Sequence, residues 1–62
     1  MKDICKVTIL EAIRIIRTRE PIGLFIIYQK DGYIGLDNSK GYAWTEAFKT
    51  KEECEIWLRR ED

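Results

Sequence analysis

The chain has 62 residues, in which 11 lysines and arginines balance 11 aspartates and glutamates, and it has no histidine. That is room for one domain, residues 1–62, and no second core. Neutrality removes the bulk field that draws basic proteins to nucleic acid or anionic membrane. The lack of histidine excludes imidazole acid–base catalysis and histidine-containing metal sites.

The N-terminus reads Met1-Lys2-Asp3-Ile4-Cys5-Lys6, without the apolar stretch of a secretory signal. No apolar run approaches the roughly 20 residues that span a bilayer. The expectation is a cytoplasmic protein with no membrane association. Cys5 and Cys54 lie near opposite ends of the chain. Free thiols are the first reading and a bridge between the termini the second, and the spacing supplies no zinc motif.

A first helix is expected over residues 9–20. Thr8 caps it, Glu11 completes a capping box three residues on, and Val7 is placed as the hydrophobic staple. Ile9, Ala12, Ile13 and Ile16 recur at three- and four-residue spacing as a buried stripe, which Leu10 and Ile15 widen. Arg14, Arg17 and Arg19 form a basic patch, with Arg17 and Arg19 suited to the negative end of the helix dipole. Pro21 stops the helix.

Beyond Pro21 the pattern changes to branched and aromatic residues, and strands are expected at 22–30, 33–37 and 42–48. Asp31-Gly32 is a two-residue hairpin signal, and Asn38-Ser39-Lys40-Gly41 a second turn. Both connections are short, which predicts an antiparallel meander with residues 22–30 and 42–48 as its open edges. Alternation places Phe25, Ile27, Ile34, Leu36, Ala43 and Ala47 on one face. The other carries Ile26, Tyr28, Lys30, Tyr33, Trp44, Glu46 and Phe48, unless the second turn slips by one residue.

A final helix is expected over residues 51–60, capped by Thr50 with Glu53 and buried through Cys54, Trp57 and Leu58. Ile56 falls off that stripe, either as an ordinary exposed hydrophobe or as part of a second contact. The fold class is therefore α+β, a small α-β-β-β-α domain with a three-stranded antiparallel sheet.

No catalytic set appears. Neither cysteine has a partner base, and Gly32, Gly35 and Gly41 make no phosphate loop. The carboxylates are placed in turns, caps and wet helix faces, so no metal, cofactor or enzymatic activity is expected. Tyr28, Lys30, Tyr33, Trp44 and Glu46 are the candidate interaction surface, and Arg14, Arg17 and Arg19 a secondary one. The aromatic face has three readings: internal core beneath a helix, protein or self-association surface, and stacking platform for single-stranded nucleic acid. The functional expectation is a small non-enzymatic interaction or regulatory domain, with a protein partner or a homo-oligomer, and single-stranded nucleic-acid binding as the alternative.

Overall fold

The structure, a computed structural model, describes residues 3–60. Its elements run β1 (Ile4–Lys6), α1 (Ile9–Thr18), β2 (Leu24–Gln29), β3 (Gly32–Asp37), β4 (Trp44–Phe48) and α2 (Lys51–Leu58). The α+β class and the β2-β3-β4 meander are as expected. The sheet nevertheless has four strands in the order β1-β2-β3-β4 rather than three.

The added strand is β1, which runs parallel to β2 with Ile4 beside Leu24, Cys5 beside Phe25 and Lys6 beside Ile26. It covers the Leu24–Ile26 part of the edge that a three-stranded meander would have left to residues 22–30. Three residues are too few to show strand alternation, and nearby α1 supplies the crossover that a parallel pair requires. Among the described strands β4 is the long open edge.

Thr8 caps α1 as its sequence dictates. Its Oγ1 accepts from the Glu11 amide at 3.2 Å, and its own amide donates to Glu11 Oε1 at 2.8 Å. The helix stops at Thr18, two residues short of the expected end. Arg19 takes a left-handed conformation at φ 61°, and its amide closes on the Ile15 carbonyl. In α2, Thr50 Oγ1 accepts from the Glu53 amide at 3.1 Å, but the Glu53 carboxylate meets the Thr50 hydroxyl rather than its amide.

Both hairpin registers differ from expectation by two residues. Ile27 lies opposite Ile34 and Tyr28 opposite Tyr33, so Lys30 and Asp31 are the turn positions. Gly32 instead begins β3 beneath the end of β4, where a Cβ would stand 2.5 Å from the Phe48 carbonyl oxygen. This close approach, rather than a positive φ in the turn, is what the glycine permits. The second connection spans residues 38–43, with Ala43 at φ 55°, and places Trp44 opposite Asp37. A two-residue shift preserves alternation, and the face assignments stand.

The helices cover opposite faces. Ala12 and Ile15 of α1 join Phe25, Ile27 and Leu36 in one buried cluster. Cys54 and Leu58 of α2 join Leu24 and Ile26 in the other, with Tyr33, Phe48 and Trp57 at its margin. At the end of the sheet Gly23 and Asn38 exchange both backbone bonds. The buried Asn38 Nδ2 also donates to the Pro21 carbonyl at 2.8 Å, tying the segment after α1 to the end of β3. Among the described residues no helix is long and apolar enough to cross a membrane.

Candidate functional site

The aromatic sheet face is divided by α2. Trp57 and Cys54 press onto Gly35 at its centre, where an added Cβ would meet the Trp57 ring at 2.9 Å and Cys54 Sγ at 3.1 Å. Tyr28, Tyr33, Trp44 and Glu46 share this side by register, but the helix separates them into two groups.

At the hairpin end Tyr28 and Tyr33 meet edge to face, 5.2 Å between ring centres. Lys6 Nζ lies 4.3 Å from the Tyr28 ring centre and Lys51 Nζ 5.7 Å away. Hydrogen bonding with the Tyr28 hydroxyl, followed by its charge and that of Glu55, holds the exposed Lys51 ammonium above its ordinary pKa. Two cations thus already occupy the Tyr28 ring. Lys30 is exposed in the adjoining turn, and Glu46 is exposed on β4 opposite Gly35.

At the other end Tyr42 stacks on Trp44, 6.2 Å between centres and 25° between planes, with both rings more than half exposed. Arg60 fixes the inner boundary. Its guanidinium lies 4.3 Å from the Trp57 ring centre, pairs with Asp37 at 3.2 Å and donates to the Trp57 carbonyl at 2.6 Å. Asp37 is further engaged by the Ser39 amide and hydroxyl, so the Asp37-Asn38-Ser39 group forms a turn. Tyr42 and Arg60 belong to this cluster but are not among the sequence-derived candidates: alternation already gives Tyr42 the face of Trp44, whereas Arg60, beyond the end of α2 at Leu58 rather than inside a helix reaching residue 60, meets the rings only through tertiary packing.

The opposite side of the sheet departs further from expectation. Only Ala12 and Ile15 of α1 are buried, while Ile9, Ile13 and Ile16 are 48%, 45% and 37% exposed and Leu10 is 75% exposed. Glu11, Arg14 and Thr18 line one flank of the helix, in a groove with Val7, Pro21 and Phe25. On the helix wheel the three isoleucines therefore take the other flank. Ile34 and Ala43 are only partly covered, and Thr45 and Ala47 are exposed on the same sheet face. The stripe expected to be core thus borders an open half-face above β3 and β4. Periodicity identified an amphipathic helix but could not report that one short helix shields barely half a four-stranded sheet.

The Arg14–Arg17–Arg19 patch is exposed along α1. Arg19 is partly structural, donating from Nε to the Ile16 carbonyl and from Nη1 to the Gly41 carbonyl. Arg14 and Arg17 make no ion pair among the described residues. Cys5 projects from β1 on the α1 side and Cys54 lies beneath α2, which leaves both as free thiols on opposite faces. Burial, with a smaller contribution from Glu55, raises the Cys54 thiol pKa and favours its unreactive form.

Comparison with known proteins finds no matching family model, no similar curated protein and no similar solved structure.

Proposed function

We propose that this chain is a small non-enzymatic interaction domain that engages a protein partner through the exposed flank of α1 and the open sheet face beside it. The carrying observation is the exposure of Ile9, Leu10, Ile13 and Ile16 on one ten-residue helix. Single exposed hydrophobes are ordinary. Four contiguous ones present an apolar patch on the order of a few hundred Å², the scale at which such patches mark contact sites.

Selection from a random peptide display library against the purified chain, counter-screened on Ile13→Ser, tests the reading. Selected peptides are expected to lose affinity for the variant, and peptides indifferent to it would argue against this surface. Light scattering across a dilution series tests self-association by the same route. A dimer that dissociates in Ile13→Ser would make the partner a second copy.

The exposed Tyr42–Trp44 stack beside Arg60 favours a second reading, single-stranded nucleic-acid binding. Base stacking tolerates any sequence, and an adjacent cation assists it. This reading requires salt-sensitive binding of a mixed oligonucleotide that Trp44→Ala weakens. Lack of binding at low salt ends it.

A further inference from the structure

We infer that the protein ligand of this domain is an acidic amphipathic helix, which lies beside α1 across β3 and β4; the inference rests on the interaction reading above. Shape is the first ground. Strands are spaced about 4.8 Å apart and packed helices about 8–10 Å, so the uncovered half-face above two strands has the width of one helix. Its floor is low. Ala43, Thr45 and Ala47 are small or short side chains that permit close approach, with the partly covered Ile34 among them. Its wall is the ridge Ile9, Ile13 and Ile16, whose four- and three-residue spacing matches the groove of a second helix.

Charge selects the kind of helix. Arg17 stands beside the ridge without an ion pair among the described residues, and Arg19 joins the end of α1 to the β3–β4 connection through Gly41. At the opposite end Lys30 lies in the turn that joins β2 to β3, where it shares with Ile9 a groove along the end of β2, and Lys49 follows β4 where its backbone meets Gly32. The acids of α1 do not neutralise this flank. Glu11 is bound into the Thr8 capping box on the other side of the helix, next to Arg14. On α2, by contrast, Glu55 pairs with both Lys51 and Arg59. The apolar floor is therefore bordered by more cations than acids, Arg17, Arg19, Lys30 and Lys49 against Glu20 and Asp31, and a helix bearing glutamates or aspartates on either side of an apolar stripe complements it. The outer face of α2, with Ile56 between Glu52 and Glu53, has that character in miniature, so a second copy is the competing occupant.

Two synthetic peptides of about five helical turns test the inference: one with leucines at three- and four-residue spacing flanked by glutamates, and a twin with lysines replacing the glutamates. The glutamate peptide is expected to bind the full chain, to gain helicity and to shift the amide resonances of Ile13, Ile16, Thr45 and Ala47. The lysine twin should bind about tenfold or more weakly, and Arg17→Glu combined with Lys49→Glu should reverse the preference. Circular dichroism and thermal unfolding of the double variant confirm that it retains the fold, since both sites are exposed. Equal binding of the two peptides at those residues overturns the acidic class while leaving the interaction reading intact. If neither shifts those amides, and no display-selected peptide depends on Ile13, both fall. A concentration-dependent dimer that Ile56→Lys dissociates, or binding of anionic vesicles but not of the glutamate peptide through Ile13, also overturns the inference by naming a different occupant.

Discussion

Trp57 lies so close to Gly35 that a methyl group on the glycine would stand 2.9 Å from two atoms of the indole ring and 3.1 Å from Cys54 Sγ. Gly35 sits mid-strand, so its role is space rather than an unusual backbone. Gly35→Ala is expected to destabilise the fold by about 1–3 kcal/mol, the usual range for overpacking. Gly41 supplies the contrast. A Cβ there meets nothing within 4 Å, but its φ of 81° is left-handed, and Gly41→Ala should cost about 1–2 kcal/mol through the backbone alone. Urea unfolding measures both. Easing Trp57 with Trp57→Leu should relieve the Gly35→Ala loss and leave the Gly41→Ala loss unchanged.

How much of this was legible follows from the range of each signal. The caps at Thr8 and Thr50 are local, needing residues three apart, and both appear where the sequence puts them. Face assignment survives a two-residue slip, so Phe25, Ile27 and Leu36 were placed correctly although both registers were displaced. Gly32 misled because a turn and a close approach demand the same residue. The contact with Phe48 is visible only after β4 is in place. The division of the aromatic face by α2 and the partial cover given by α1 are likewise tertiary facts. No spacing in residues 9–18 distinguishes a buried isoleucine from one left at the rim.

The seating of α1 predicts unequal costs for aliphatic truncation. Leu36 is fully buried in the cluster beneath α1, and Leu36→Ala should lose about 2–5 kcal/mol through cavity formation. Ile13 is nearly half exposed, and Ile13→Ala should lose about 1 kcal/mol or less. Comparable losses in denaturant melts would mean that α1 sits on the sheet more deeply than described.

The capping box carries a pH signature. Hydrogen bonding to the Thr8 amide, then to the Thr8 hydroxyl, lowers the Glu11 pKa from the ordinary value of 4.5. A depressed carboxylate stabilises the folded state above its unfolded pKa, and the contribution is lost as pH falls through the folded value. Stability should therefore decline below about pH 4.5. Glu11→Gln should flatten its own part of that decline. Thr8→Ala should cost about 1 kcal/mol at neutral pH and shrink the acid-dependent part. Urea midpoints between neutral and strongly acidic pH read both effects, and an unchanged acid limb in Glu11→Gln would remove Glu11 as its source.

The two thiols give the sharpest test of the layered arrangement, because they lie on opposite faces with very different access. Cys5 is exposed on the edge strand, whereas Cys54 is fully buried against Gly35, and burial raises its thiol pKa. In native conditions an alkylating reagent should modify one thiol per chain, lost in Cys5→Ser, while the second reacts only at the rate of unfolding. Linkage fixes the sign of the alkaline effect. A thiol with a raised folded pKa stabilises the fold below its unfolded value, and that stability is lost as pH rises through the folded one. Stability should thus fall above about pH 9, and Cys54→Ala should weaken the dependence at the expense of a small cavity. Fast native labelling of Cys54, or a Cys5–Cys54 bridge in mild oxidant without unfolding, would contradict the placement of α2 across the sheet from Cys5.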